Sequence, residues 1–94
     1  MADKLVREFE LKNKYGMHVR PAGLFAKLAS RYESEIDVEK DGNVVSGKSI
    51  MALMTLEAVC GTVLKVTARG KDAQEALDEL EALVERKFDI PDEQ

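Results

Sequence analysis

A single imidazole occurs in the 94 residues, and its neighbours decide what it can do. His18 follows the loop N-K-Y-G-M and stands three residues before Pro21, at the entry to an amphipathic stretch. Backbone N–H groups at a helix N-terminus have no partner inside the helix, and together with the helix dipole they form a ready anion site. Arg20, two residues on, adds a permanently charged, planar fork of donors that fits phosphate oxygens. A histidine so placed can be a nucleophile whose phosphorylated form is held by amides and by Arg20. The plainer reading of a lone loop histidine before a helix is a cap or a spectator, and residue types alone favour it. No Asp/His or Cys/His constellation stands beside it, so hydrolytic catalysis has no support.

A second pattern is complete but out of place. G-N-V-V-S-G-K-S, residues 42–49, matches the phosphate-binding form G-x-x-x-x-G-K-[ST], in which amides cradle phosphates and the Ser holds magnesium. Val44 and Val45 look like strand where the motif needs a loop, and no apolar strand ending in Asp follows to complete a magnesium site. We expect a decoy: Gly42 turns a hairpin and Ser49 caps a helix. Three smaller signals remain. Ser46 is a weaker candidate than Ser49 for modification. Cys60 adjoins a turn without an acid–base partner and reads as inert. Met51 and Met54, three apart, read either as core packing or as part of a surface patch.

The elements that must position these residues follow from periodicity. Leu5, Phe9 and Leu11 share one face of a strand, with Arg7 as a blemish on that face. Residues 21–32 turn helical, with Leu24, Phe25, Leu28 and Ala29 on one stripe; Pro21 leaves the start uncertain between residues 18 and 21. Ile36 and Val38 alternate with charges, Asp41-Gly42 signals a hairpin, and Val44-Val45 begin the return strand. Ser49 opens a short apolar helix over 50–56, residues 63–68 form a strand, and Ala73, Ala76, Leu77, Leu80 and Val84 mark a last helix. Strand, helix, strand, strand, helix, strand, helix argues for an α+β layer pair, with helices on one face of a largely antiparallel sheet.

Composition agrees with this picture. A 94-residue chain with 45% apolar and 34% charged residues has the makings of one globular domain, placed at residues 1–88, with a tail at 89–94 expected to fray. One cysteine and one histidine cannot build a disulfide framework or a zinc cage, so no structural metal is expected. No apolar run approaches a membrane span, and the N-terminus is charged from its third residue, so a cytoplasmic chain is expected. Net charge is −4, distributed unevenly: residues 1–70 carry 11 basic and 9 acidic side chains, residues 71–94 carry 3 and 9. A mildly basic body with an acidic last quarter, read as a solvated helix face, is a poor nucleic-acid binder.

G-M-H-V-R-P-A at residues 16–22 resembles the active-site segment of the histidine-containing phosphocarrier (HPr) family of the bacterial phosphoenolpyruvate:sugar phosphotransferase system. G-K-S-I-M-A-L-M at 47–54 resembles the family's second segment, and C-G-T-V-L-K-V-T-A-R-G at 60–70 fits the strand that follows. The likeness runs from about residue 3 to 88, and the two segments are spaced as in the family, which outweighs the spectator reading of His18. The resemblance implies an open-faced β-sandwich, a four-stranded antiparallel sheet covered on one face by three helices. It implies that His18 accepts a phosphoryl group on its δ nitrogen from enzyme I, charged by phosphoenolpyruvate, and passes it to a histidine on a IIA domain of a sugar permease. Arg20 would steady the group and Pro21 would shape the turn. Partner docking falls on Val19, Gly23, Leu24, Lys27, Ile50, Met51 and Met54. Ser49 corresponds to a serine phosphorylated by a dedicated HPr kinase/phosphatase in many bacteria.

Such a chain is a carrier regenerated by partner enzymes rather than a stand-alone enzyme. It needs no cofactor, and we expect a monomer without nucleic-acid or direct membrane binding. Three departures from the family pattern stand out. Tyr15 occupies a place where small polar residues are usual, Glu57 replaces a common glycine, and the K-F-D-I-P-D-E-Q ending is longer than usual and similar to the nitrogen-regulatory branch. The alternatives are a carrier of that branch, or a regulatory binding module phosphorylated on Ser49 and not coupled to sugar uptake. Relatives of the regulatory kind lack the histidine, so His18 weighs against the module.

Overall fold

The computed structural model describes residues 4–91. In chain order it holds β1 (Lys4–Glu10), α1 (Val19–Ala29), β2 (Glu35–Lys40), β3 (Asn43–Ser46), α2 (Ile50–Met54), β4 (Val63–Arg69) and α3 (Ala73–Glu85), followed by a 3₁₀ turn at Lys87–Asp89. The strands form one antiparallel sheet in the order β1-β4-β2-β3. Alternation decides which face is covered: Phe9, Ile36, Val38, Leu64, Val66 and Ala68 point inward and are buried, while their neighbours face outward. Phe25, Ala22 and Ala29 of α1, Leu53 of α2, and Leu77, Leu80 and Val84 of α3 close the core from the helix side. This is the open-faced α+β sandwich the sequence led us to expect.

Helix boundaries differ from the periodicity in ways backbone chemistry explains. α1 begins at Val19, two residues before Pro21. Pro21 is then the third helical residue, where its missing N–H removes no intrahelical bond. The helix stops at Ala29 rather than Tyr32, because the N–H groups of Arg31 and Tyr32 donate to Leu28 and Ala29 in tighter i→i+3 turns. α2 stops at Met54 for the same reason, with Leu56 N donating to Leu53 O and Glu57 N to Met54 O. Glu57 then takes φ = 51°, a left-handed angle that disfavours side chains with a Cβ. Glu57→Gly should therefore raise unfolding stability by about 0.5–1 kcal/mol in urea titrations. A loss of stability would contradict the strain.

The Arg7 blemish is an ion-pair anchor. Its guanidinium donates to Asp78 Oδ1 at 2.8 Å and to Glu81 Oε1 at 3.0 Å, tying β1 to α3, and Lys12 meets Glu85 at 3.2 Å. Part of the acidic last quarter is thus paired with the body as well as solvated. The hydrogen bond from Arg7 holds the Asp78 carboxyl below its ordinary range.

A second carboxylate joins the loops at the other end of the fold. Asp72 accepts from the backbone N–H of Glu33 (2.9 Å), from that of Ser34 (3.0 Å) and from the buried Ser34 hydroxyl. These bonds, the Ser34 hydroxyl first, hold its pKa below the ordinary value of 3.8. A carboxyl depressed on folding stabilises the native state above its unfolded pKa, and this contribution fades as pH falls through the folded pKa. Asp72→Asn should lower the melting temperature at pH 7, and its difference from wild type should shrink below about pH 4. A pH-independent difference would show that the charge is not what matters.

The expected frayed tail lies partly outside the described residues, at positions 92–94. Where it begins, Lys87, Phe88 and Asp89 all take left-handed angles (φ 55°, 61° and 56°), which brings Phe88 into the core at 1% exposure. Asp89 N donates to Arg86 O at 3.0 Å and its carboxylate pairs with Arg86 Nε, while Ile90 packs on the core.

Candidate functional site

The loop of residues 11–17 fixes where His18 stands. Leu11 N donates to Thr62 O at 2.9 Å and Gly61 N to Leu11 O at 2.7 Å, extending the β1–β4 pairing past the strand ends. Asn13, buried at 2% exposure, donates from Nδ2 to Gly16 O at 2.8 Å, and Gly16 N donates back to Asn13 O at 3.3 Å. Gly16 takes φ = 66°, and a Cβ there would lie 2.2 Å from Ala58 O. Only glycine fits. Met17 N donates to the same Ala58 carbonyl at 2.8 Å, and His18 N to Gly16 O at 3.0 Å. The sequence reading passed over Asn13 and Ala58, although an Asn three residues before a glycine is a recognisable turn signal.

His18 is the N-cap of α1, with φ −87° and ψ −172°. Its carbonyl accepts from Ala22 N at 2.9 Å, closing the first helical ring, while its side chain makes no capping bond. The imidazole is therefore not spent on holding the helix. Its Nε2 atom is buried, and the residue as a whole is half-buried. Around it lies the positive end of α1, with no acidic residue in the first turn. Val19 and Arg20 are exposed there and Pro21 is buried. The arrangement suits a group that gains negative charge.

The residues expected to dock partners lie on α1 and α2. Val19 is 60% exposed, and Ile50, Met51 and Met54 are 43%, 80% and 40% exposed. The two methionines are thus surface residues, and the core-packing reading of the pair is wrong. Gly23 joins them to α1, since a Cβ on it would sit 3.9 Å from Ile50 Cδ1. Leu24 and Lys27 line a groove between α1 and α3, with Leu28, Arg31, Leu83 and Arg86.

Ser49 caps α2: its Oγ accepts from Ala52 N at 3.1 Å. The rest of the phosphate-loop match is spent on structure. Gly42 takes φ = 84° in the β2–β3 turn, Val44 and Val45 lie in β3, and Lys48 Nζ donates to Tyr32 O at 2.7 Å beyond the end of α1. Cys60 is exposed, and among the described residues no helix is long and apolar enough to cross a membrane.

Known proteins resemble this chain in sequence and in fold. The family model for the PTS HPr component phosphorylation site matches residues 5–86. The chain belongs to the HPr phosphocarrier family. Among HPr-family relatives, the phosphocarrier protein HPr of Borreliella burgdorferi is 47% identical, covering 84% of this chain and 92% of that one. The crystal structure of HPr from Thermoanaerobacter tengcongensis superposes with a TM-score of 0.88 at 45% identity, covering 92% of this chain and 97% of that one. The catabolite repression protein Crh of Bacillus subtilis, solved as a domain-swapped dimer, is 43% identical over 86% of this chain and 93% of that one, with a TM-score of 0.71. A dimer in this company leaves the expected monomer without support.

Proposed function

We propose that the chain carries phosphoryl groups on Nδ1 of His18, taking them from phosphorylated enzyme I and giving them to IIA domains of the sugar phosphotransferase system. The observation that carries this reading is the state of the imidazole: at a helix N-terminus, free of capping duty, with Nε2 turned inward. The lone pair of Nδ1 attacks phosphorus as the phosphorus–nitrogen bond in the donor breaks, and the reverse step delivers the group onward. The first-turn N–H groups and the Arg20 guanidinium offset the charge that arrives, with Pro21 keeping the turn rigid. Val19, Gly23, Ile50, Met51 and Met54 form the docking face, flanked by Leu24 and Lys27. Apolar area with flexible thioethers suits successive partners. Ser49 is a site for a regulatory kinase/phosphatase, and the chain works in the cytoplasm, where its donors are.

A second reading has an observation of its own, the likeness to Crh. There Ser49 is the working residue and His18 is idle. Incubation with enzyme I and phosphoenolpyruvate separates the two. The carrier reading expects stoichiometric acid-labile phosphate, whereas absence of label, in a mixture that labels an authentic HPr, would leave the regulatory module.

A further inference from the structure

Tyr15 sits on a braced turn. Asn13 and Gly16 are bonded to each other in both directions, Met17 N is tied to Ala58 O, and Gly16 is packed against residues 58 and 59. The ring of Tyr15 stands perpendicular to the imidazole of His18, with centroids 6.0 Å apart, and the Lys14 ammonium lies 5.2 Å from the Tyr15 ring centroid. Perpendicular aromatic pairs and a cation over a ring are both attractive arrangements. Tyr15 is thus held between a cation and the imidazole, although it is itself 46% exposed and contributes little to the core.

What such a wall can do follows from the shape of histidine. Rotation about the last side-chain bond has two broad wells, related by a ring flip that exchanges the side on which Nδ1 lies. A carrier needs one of them, the well seen here with Nε2 inward. We propose that Tyr15 is a positioning residue for His18, its ring keeping the imidazole in the orientation that presents Nδ1 to an incoming phosphoryl group. This rests on the carrier reading, and assigns a role to the residue that departs from the small polar type usual at its place. The role is assigned to the ring, on its edge-to-face contact with the imidazole.

The test uses potassium phosphoramidate, a small phosphoryl donor that needs no docking. Nδ1 forms a bond to phosphorus as the P–N bond of the reagent breaks, and ammonia leaves with the imidazole proton. Long-range 1H–15N spectra report which nitrogen is modified and how fast. Tyr15→Ala should react roughly threefold to tenfold more slowly at Nδ1, the population shift expected from losing one aromatic pair, and should yield a larger share of Nε2 product. Tyr15→Phe should recover both rate and regiochemistry. The same split should appear with enzyme I, as a fall in kcat with KM nearly unchanged. Tyr15→Ala with wild-type rate and product ratio would overturn the proposal. So would a Tyr15→Phe variant as impaired as Tyr15→Ala, or an effect confined to KM. A thermal melt of each variant identifies one that fails to fold, and Tyr15→Leu then takes the place of Tyr15→Ala. Because phosphoramidate acts without a partner, wild-type protein that reacts with it but not with enzyme I would sink the carrier reading alone.

Discussion

His18→Ala should take no phosphoryl group from phosphorylated enzyme I, and Arg20→Ala should take it roughly 10- to 100-fold more slowly. The first result is expected because His18 is the chain's only imidazole. Its side chain makes no capping bond to α1, so its removal should leave the helix in place. The second comes from the value of a charge-assisted hydrogen bond, about 1.5–3 kcal/mol, which corresponds to roughly 10- to 100-fold in rate when it is made mainly in the transition state. Arg20 is exposed and forms no ion pair with another described residue, so its fork is available to the phosphoryl oxygens. Arg20→Lys keeps the charge and loses the planar pair of donors, so it should fall between wild type and alanine, with kcat more affected than KM. Labelling of His18→Ala at the wild-type level would end the histidine account. Arg20 variants changed only in KM would reassign that residue to docking.

Ser49→Asp should raise the apparent KM of the protein for enzyme I at least tenfold and change kcat less. Aspartate is as good an N-cap as serine, so α2 should persist and the effect cannot be charged to unfolding. Ile50 and Met51 follow immediately and are exposed, which puts the new charge at the rim of the apolar face proposed to dock partners. Two routes compete. Two unit charges about 10 Å apart in water interact by roughly 0.4 kcal/mol, less in salt, so direct repulsion of the phosphoryl group is weak. Desolvating an anion in an interface, or setting it against a partner's carboxylates, costs about 2–5 kcal/mol. The interface route wins, and the inhibition should therefore survive raised salt. Steady-state rates at low and high salt check this. Wild-type kinetics for Ser49→Asp and for genuine phosphoserine would reduce Ser49 to a helix cap.

How much of this was legible from the residues depends on how local the cause is. β2 and β4 announce themselves because one face is buried and the side chains alternate, save for Lys40 at the end of β2. The Asp41-Gly42 turn is as clear, since both residues accept the positive φ they adopt. The start of α1 at Val19 falls within the range 18–21 that Pro21 left open, because the residue types do not say whether a proline is the first or the third of a helix. Arg7 looked like an error in a strand because its partners, Asp78 and Glu81, lie more than seventy positions away. Three successive left-handed residues around Phe88 run against propensity and are imposed by the burial of that ring. At the site, His18, Arg20 and Ser49 were visible as types and spacings. The inward turn of Nε2, the Asn13 brace and the exposure of Met51 were not, because each depends on what the fold brings alongside.

The most direct test of the account is where phosphorus sits on the wild-type protein. The chain is mixed with enzyme I and phosphoenolpyruvate, its intact mass is followed, and the modified atom is assigned by long-range 1H–15N correlation. The account predicts a mass gain of one phosphoryl group, carried on Nδ1 of His18 and lost in acid. Phosphate on Nε2, on a hydroxyl such as that of Ser49, or on no atom of the chain while an authentic HPr is labelled alongside, would contradict it.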